Sequence, residues 1–219
     1  QYLNSGRVDG FIVMKTGRKQ EHVNTLVKSG APFIVWGVPD AKTTYPSVTG
    51  DNVVGGKLAT EHLIRTGRKQ IAILCGPQYD LEAEQRFKGY EDALREAGHT
   101  PNQKLHVCGN YAHSSGISGM QQLLEQAPEL DAVFVCSDLM AIGAINVLLE
   151  CGKRVPEDVA VVGYDDLSIA AHNSLPLTTI RQNIPMSGRL LAQNLVQFIK
   201  TGVVTQVTVP VELVVRKTA

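Results

Sequence analysis

Hydrophobic and polar positions along the chain fall into blocks that are typical of strands followed by helices. Continuous apolar runs occupy residues 71–75, 105–108, 132–136 and 159–163, and stretches with helical periodicity separate them. A short apolar run without alternation indicates a strand that is covered on both faces, as in a parallel sheet between helices. Residues 53–162 therefore predict βα units on a parallel sheet.

The helices predicted between these strands have recognisable ends. The first runs from Asn52 to about Thr66, and a later one begins at Ser114 or Ser115. The last follows Asp138, which is predicted as its N-cap, and it is apolar almost all round. Such a helix is expected to be the most buried of the set.

The flanking segments add strands and helices on either side of this region. Strands are predicted at 10–14, 33–36 and 207–215, and helices at 22–28 and 185–200. The whole chain is therefore predicted to belong to the α/β class.

Composition narrows the class of protein. Of the 219 residues, 43% are hydrophobic, which is enough to build a core in one or two lobes. No apolar run approaches the ~20 residues that span a bilayer, so we expect a soluble protein with no membrane partner. The 21 lysines and arginines are balanced by 21 aspartates and glutamates. This zero net charge argues against direct binding of these residues to a nucleic acid backbone.

The cysteines give no sign of a metal site or a disulfide framework. Cys75, Cys108, Cys136 and Cys151 fit no paired-ligand motif and are too few for a disulfide scaffold. Three of them end an apolar run, where a thiol behaves as a small hydrophobic side chain. The sequence thus predicts no metal and no cofactor, and it indicates a reducing, cytoplasmic environment.

No catalytic or phosphate-binding fingerprint is present. The chain contains no GxxxxGK[ST], no GxGxxG after a strand, no GxSxG and no HExxH. His62 lies in the middle of a predicted helix, where packing explains it better than catalysis does. Asp165 and Asp166 end a predicted buried strand, and the ligands of α/β sheets bind at such strand ends. We expect one of these carboxylates to face a ligand and the other to cap the next helix.

Several longer segments resemble one known family. They are SVTGDNVVGGKLATEHLIRTGRKQIAILCGP, QRFKGYEDAL, DAVFVCSDLMAIGA, GKRVPEDVAVVGYDD and PLTTIRQ. Together they look like the effector-binding core of the lactose-repressor (LacI/GalR) family of bacterial transcription regulators. The spacing of GYDD and PLTTIRQ is specific to that family, and the resemblance extends from RVDGFIV, at residue 7, to LVVRKT, at residue 213.

The resemblance implies a two-lobe, periplasmic-binding-protein-like fold of type I, in which each lobe is a parallel sheet flanked by helices. Residues 1–51 and 184–209 would form the first lobe, and residues 52–183 and 210–219 the second. A DNA-binding helix-turn-helix headpiece and two βα units would precede these residues. The first lobe is therefore expected to be incomplete and to expose an apolar sheet edge.

The resemblance also implies a set of ligand contacts. Arg86 in EQRFKGY matches the family's effector-binding arginine, whose planar guanidinium suits vicinal hydroxyls or a carboxylate. Asp165 in GYDD matches a ligand-accepting carboxylate, and an acceptor beside a donor suits a neutral polyol. Tyr111 matches an aromatic side chain over the ligand. Ser137 stands where the family often has asparagine, and Gln182 lies at a crossover where it can touch the ligand.

Two residues near the first crossover leave alternatives open. Trp36 could stack on a sugar or pack in the core, and Gly37 follows it where some sugar-responsive members carry an aspartate. Asp51 fits a helix N-cap better than a ligand contact.

The leading hypothesis is an effector-sensing domain of a homodimeric bacterial repressor that catalyses no reaction. A small carbohydrate would bind between the lobes and alter operator DNA binding by the headpiece. The segment 167–176 is the expected subunit interface. One alternative is a periplasmic sugar-binding protein of a transporter. Another is a flavodoxin-like or sugar-isomerising enzyme that uses Asp165 or His62.

Overall fold

The computed structural model describes residues 8–14, 21–40 and 44–219. Strands and helices alternate along this part of the chain. The strands are β1 (Phe11–Met14), β2 (Phe33–Trp36), β3 (Ser47–Gly50), β4 (Ile71–Cys75), β5 (His106–Cys108), β6 (Ala132–Val135), β7 (Ala160–Asp165), β8 (Thr178–Gln182), β9 (Gln206–Val209) and β10 (Val211–Val214). The α-helices are α1 (Glu21–Ser29), α2 (Asn52–Arg65), α3 (Leu81–Glu96), α4 (His113–Gln126), α5 (Asp138–Glu150), α6 (Ser168–His172) and α7 (Ile184–Thr201).

The chain divides into two compact units, each with its own sheet. Unit 1 comprises Gln1–Asp51 and Asn183–Pro210, and unit 2 comprises Asn52–Gln182 and Val211–Ala219. The lobes expected from the sequence differ from these units only in the placement of residues 183 and 210.

The sheet of unit 1 has four parallel strands in the order β1-β2-β3-β9. One buried cluster is formed around Ile34 and Val48 with Leu191 and Leu195 of α7. A second cluster contains Val23 of α1 and alternate residues of β2. Because neighbouring strand residues point to opposite faces, α7 and α1 cover the two faces of this sheet.

Strand β1 forms one side of that sheet and pairs, among the described residues, with β2 alone. Its Ile12 and Met14 side chains are 50% and 65% exposed. Two apolar side chains of β1 are thus at least half exposed.

The sheet of unit 2 has six strands in the order β10-β8-β7-β6-β4-β5. All pairs are parallel except β10 with β8, which is antiparallel. Cys75 contacts α3, whereas the neighbouring Leu74 contacts α4, so these helices lie on opposite faces. The α/β class with parallel sheets between helices is thereby confirmed.

Helices α2 and α3 approach each other closely because glycine occupies the contact on both sides. A Cβ atom on Gly89 would overlap the carbonyl oxygen of Val53, and one on Gly56 would overlap the carbonyl oxygen of Arg86. The backbone of α3, and with it Arg86, is therefore held directly against the backbone of α2.

Three details of the sequence prediction were wrong. The tail predicted as one strand at 207–215 is two strands in different sheets, separated by Pro210, which lacks an N–H for the ladder. Strands β3 and β8 were not predicted, since their polar residues hide the apolar pattern. The N-cap of α5 is Ser137 and not Asp138, because the Ser137 hydroxyl accepts the hydrogen bond from the N–H of Met140.

In the part of the chain that the structure describes, no helix has both the length and the apolar character that a membrane crossing requires.

Candidate functional site

Five of the six predicted site residues lie in unit 2, close to the carboxyl ends of its parallel strands. The chain passes from β4 to β5 on one side and then to β6 on the other side of β4. This reversal is a topological switch point, where open α/β sheets place their ligand crevice. Arg86, Tyr111, Ser137, Asp165 and Gln182 all follow or end strands at this edge.

Arg86 lies in the second turn of α3 and is held from several sides. Its Nε donates to the Oδ1 of Asn52 at 2.9 Å, and its Nη1 donates to the carbonyl oxygen of Cys136 at 2.6 Å. The guanidinium carbon stands 3.7 Å from the centre of the Tyr164 ring. Only 6% of the residue is exposed, so it is not the surface arginine of a solvated helix face.

The charge on this guanidinium is secure. Burial disfavours it, but the neighbouring Tyr164 and Asp165 outweigh that effect and hold the pKa of Arg86 above its ordinary value. Among the described residues no hydrogen-bond partner is found for Nη2, the remaining nitrogen of the fork. Arg86 is thus a cation held in place by the protein, and its Nη2 is available to donate to a ligand.

Asp165 ends β7 in a conformation with φ 113°, which residues other than glycine rarely adopt. Its Oδ1 accepts a hydrogen bond from the Nε2 of Gln182 at 2.7 Å. Burial raises the pKa of the Asp165 carboxyl, while Arg86 and Gln182 act in the opposite direction. No partner is found for Oδ2 within the described parts of the chain.

Arg86 and Asp165 act on each other electrostatically but form no ion pair within 4.0 Å. A buried donor and a partly buried acceptor therefore stand at one sheet edge without satisfying each other. This arrangement is suited to a ligand group that accepts from Arg86 and donates to Asp165, as a pair of hydroxyls does.

Asp166 faces elsewhere, although it is the next residue. Its carboxylate pairs with Arg181 at 2.6 Å and with Arg216 at 2.5 Å. Burial works against the charge, but these two arginines hold the pKa of Asp166 below its ordinary value. The expectation that it caps the next helix was wrong, because α6 begins after Leu167 without a side-chain cap.

Tyr111 is held in a left-handed backbone conformation, with φ 67°, on the loop after β5. Its hydroxyl donates to the Oδ1 of Asp80 at 2.9 Å, and its ring packs against Gly76 so closely that a Cβ there would overlap it. The Arg86 guanidinium lies 5.8 Å from the ring centre. Tyr111 is therefore a fixed aromatic wall beside Arg86.

Ser137 and Gln182 have structural partners at the same edge. The Ser137 hydroxyl caps α5, and the residue is 4% exposed. It accepts in that bond, so its proton remains available for donation. Gln182 is the last residue of β8 and orients the Asp165 carboxylate.

Trp36 is the sixth predicted residue and lies in unit 1, at the end of β2. It is partly buried and packs against the cluster that contains Ile34 and Leu191. This packing is one of the two roles expected for Trp36 from the sequence.

Sequence reasoning missed three residues that build the site. Asn52 accepts from Arg86, Tyr164 lies under the guanidinium, and Asp80 both caps α3 and binds Tyr111. Asp80 alone carried a local signal, since an aspartate before a helix suggests an N-cap. Asn52 and Tyr164 contact Arg86, which is distant from both in sequence, and no local pattern indicates such a contact.

No group of three or more histidine, cysteine, aspartate or glutamate side chains that could hold a metal ion is found among residues 8–14, 21–40 and 44–219. The polar groups gathered at this sheet edge are hydrogen-bonding groups, and they suit recognition of an uncharged polar ligand.

Asp138 is fully buried behind the site and is expected to make stability depend on pH. Burial raises its pKa to about 7, despite hydrogen bonds from Thr179 at 2.6 Å and from the N–H of Leu167 at 2.7 Å. The folded state therefore keeps a proton that the unfolded state loses near pH 3.8. The Asp138 contribution to the free energy of unfolding is largest below about pH 4 and is lost as the pH rises to about 7.

This contribution is measured by urea unfolding of the wild type and of Asp138→Asn at several pH values between about 4 and about 8. Asparagine does not titrate, so the stability of the wild type relative to the variant should fall by a few kcal/mol as the pH rises. A stability difference that is constant with pH would show that Asp138 titrates alike in both states.

The chain is similar to known transcription regulators. Residues 60–219 match the family model of a periplasmic binding protein-like domain. The HTH-type transcriptional regulator CelR of Thermobifida fusca is 40% identical over 217 residues, which cover 97% of this chain and 62% of CelR. The HTH-type transcriptional repressor PurR of Haemophilus influenzae is 37% identical over 225 residues, which cover 99% of this chain and 66% of PurR.

A solved structure of the transcriptional regulator CelR in complex with cellobiose has a TM-score of 0.95 at 37% identity. The match covers 100% of this chain and 68% of that chain. The chain thus spans somewhat less than two thirds of the full CelR sequence.

Proposed function

The chain belongs to the LacI family of transcriptional regulators, as an effector-binding domain, and on that premise we propose that it senses a small neutral carbohydrate. The observation that carries the proposal is the pair formed by Arg86 and Asp165. Each is anchored by protein groups, and each keeps one polar atom without a partner among the described residues. Two neighbouring hydroxyls of a sugar would accept from Nη2 of Arg86 and donate to Oδ2 of Asp165.

The neighbouring side chains support a carbohydrate in particular. Tyr111 gives a fixed aromatic surface beside Arg86, and aromatic faces pack well against the apolar faces of sugar rings. Ser137 has a hydroxyl proton to donate, and Gln182 holds the acceptor carboxylate in place. A neutral ligand is favoured because the donor cation and the acceptor anion compensate each other.

The similarity to CelR, whose structure holds cellobiose, points to a β-linked disaccharide as the first effector to test. The similarity to PurR is nearly as high, so a purine base is the competing effector class. A transporter's periplasmic binding protein is not favoured, since the close relatives are transcription regulators. They are not enzymes, and we assign no reaction to this chain.

In the proposed mechanism the effector shifts an equilibrium between two states of the domain. It can do so only through a difference in its affinity for the two states. The shift would alter the binding of operator DNA in the cytoplasm. That binding would be made by a helix-turn-helix, as in CelR and PurR, which are both HTH-type regulators. The residues of this chain are unsuited to that DNA contact, because their net charge is zero.

A thermal-shift screen of cellobiose, other neutral sugars, sugar phosphates and purine bases tests the proposal. At a concentration of about 100 times its Kd, a ligand that binds only the folded state adds ~2.7 kcal/mol to the free energy of unfolding. We expect neutral sugars to raise Tm and purine bases to leave it unchanged. A Tm increase with purine bases and with no sugar would overturn the carbohydrate assignment.

We further propose that the full protein is a two-fold symmetric homodimer whose interface includes α6 and the residues around it. Leu167 and Ile169 are 40% and 45% exposed, which supports this surface, whereas Ala170 is fully buried and belongs to the core of unit 2. Sedimentation of the full-length protein should show a dimer, and Ile169→Glu should shift it towards monomer. Leu149→Glu, on an apolar side chain that is 52% exposed elsewhere, is the matched control.

A further inference from the structure

Three cysteines stand side by side at the edge of the unit 2 sheet that carries the candidate site. Cys75 of β4 is paired in register with Cys108 of β5, and Cys136 follows β6 directly beside Cys75. The Sγ atoms of Cys75 and Cys136 are 4.0 Å apart, and both cysteines are buried free thiols. Neither Cys75 nor Cys136 is used by the proposed effector contacts through its thiol.

A cavity of about 220 Å³ opens next to Cys75 on the α3 side of the sheet. Its walls include Pro77, Tyr79, Phe87, His106 and Cys108. A volume of this size holds several molecules as small as water, whose share of the liquid is ~30 Å³. Cys75, which is 4% exposed, lines this cavity, whereas Cys136 is fully buried and is not among its lining residues.

The surroundings of Cys75 favour its thiolate. The Cys136 thiol donates a hydrogen bond to its sulfur, and together with His106 it holds the pKa of Cys75 below the ordinary value. These groups outweigh burial, which favours the protonated thiol that donates to the carbonyl oxygen of Ala83 at 3.5 Å. The His106 ring is fixed by stacking on Phe87 at 4.4 Å, and its Nε2 lies 3.6 Å from the sulfur of Cys108. Burial raises the pKa of Cys136, so it remains the protonated donor of the pair.

We propose that Cys75 and Cys136 are a redox modification site, oxidised to a disulfide by hydrogen peroxide that enters through the cavity. The Cys75 thiolate attacks one peroxide oxygen, the O–O bond breaks, and the leaving hydroxide takes up a proton to become water. Cys75 is then a sulfenic acid. The sulfur of Cys136 attacks it, and the hydroxyl leaves with the Cys136 proton as a second water. Two thiols thus lose two electrons and two protons, and one peroxide is reduced to two waters.

The disulfide would act on the effector site through the backbone, and this part of the inference rests on the proposed function. Bond formation shortens the distance between the sulfurs from 4.0 Å to about 2.05 Å. The carbonyl oxygen of Cys136 accepts from Arg86, and Cys136 directly precedes Ser137. Gly76, on which Tyr111 packs, directly follows Cys75. We expect the oxidised protein to bind its effector about tenfold more weakly.

Peptide mapping after peroxide treatment tests the modification itself. The reduced, full-length protein is exposed to hydrogen peroxide, the remaining thiols are blocked with a maleimide, and a non-reducing digest is analysed by mass spectrometry. We expect a peptide pair linked through Cys75 and Cys136 that has lost two hydrogens and separates on reduction. Four maleimide-blocked cysteines, or a link from Cys75 to Cys108, would overturn the proposal.

Variants separate the role of the pair from that of other thiols. Cys136→Ala should be oxidised at Cys75 more slowly than the wild type, because it lacks the donor to the thiolate, and should stop at the sulfenic acid, which dimedone labels. Cys151→Ser should form the disulfide as the wild type does. Cys151 is exposed and lies outside the row of three. Should Cys136→Ala fail to fold, peptide mapping of the wild type and of Cys151→Ser still decides the question.

Calorimetry with cellobiose on the reduced, oxidised and re-reduced protein tests the link to the effector site. Weaker binding after oxidation and recovery with dithiothreitol would support the link, and equal affinities would remove it while leaving the modification site intact. If the reduced protein binds no sugar at all, the proposed function fails, and the disulfide mapping stands independently of it.

Discussion

Gly89→Val is expected to separate α3 from α2 and to destabilise the chain by at least about 3 kcal/mol, at the upper end for overpacked sites. Any Cβ at this position overlaps the carbonyl oxygen of Val53 and crowds the N–H of Lys57. These are backbone atoms of a neighbouring helix, which cannot rotate away as a side chain can. The helices must therefore move apart, and the buried residues between them lose contact.

Urea unfolding followed by circular dichroism measures this effect, and Gly188→Ala is the matched control. Gly188 also lies in a helix, but nothing stands within 4 Å of a Cβ placed there. Alanine at that position should stabilise the chain by about 0.5–1 kcal/mol, because glycine is the poorer helix former. A Gly89→Val variant as stable as the wild type would mean that the contact between α2 and α3 accommodates a larger side chain.

The strands of unit 2 were predictable wherever burial on both faces leaves a continuous apolar run. Residues 71–75 are buried throughout, and β4 has the bounds that the sequence predicted. Strand β8 was not predictable, because its buried Thr178 and Thr179 are polar. The Thr179 hydroxyl donates a hydrogen bond to Asp138, and the N–H of Thr178 donates one to the hydroxyl of Thr218. Each partner is about 40 residues away in sequence. Local patterns contain no information about such distant partners.

The same limit applies to the candidate site. The rule that parallel strands end at one sheet edge was enough to bring Arg86 and Asp165 together. It gave no sign that Arg86 would be buried between Asn52 and the carbonyl oxygen of Cys136. Nor could it decide which of two adjacent aspartates pairs with arginines, since that depends on the remote Arg216.

The burial of Arg86 changes how the site is best tested. Removing its side chain would take a donor away from the buried Asn52 and from the carbonyl oxygen of Cys136, so folding and binding would suffer together. Asp165 is the cleaner target. Asparagine at 165 keeps the shape, can still accept from Gln182 and tolerates positive φ as well as aspartate does. It removes only the charge and one acceptor.

Asp165→Asn should weaken effector binding by about 10- to 100-fold, the equivalent of one hydrogen bond to a charged group. Its stability without ligand should stay within about 1 kcal/mol of the wild type, because burial already disfavours the carboxylate. Asp166→Asn is the matched control on the next residue. It breaks the pairs with Arg181 and Arg216, so stability should fall by about 1–3 kcal/mol while the effector affinity is retained.

Calorimetric titration with cellobiose, or with the sugar that raises Tm most, gives the affinity of each variant, and its melting temperature gives the stability. The expected result is that Asp165→Asn loses effector affinity and keeps its stability, whereas Asp166→Asn loses stability and keeps its effector affinity. Equal affinity in Asp165→Asn and the wild type would remove Asp165 from the site. An equal loss of affinity in both variants would show that the carboxylates act through the general field of this sheet edge, and not through a hydrogen bond from Asp165 to the ligand.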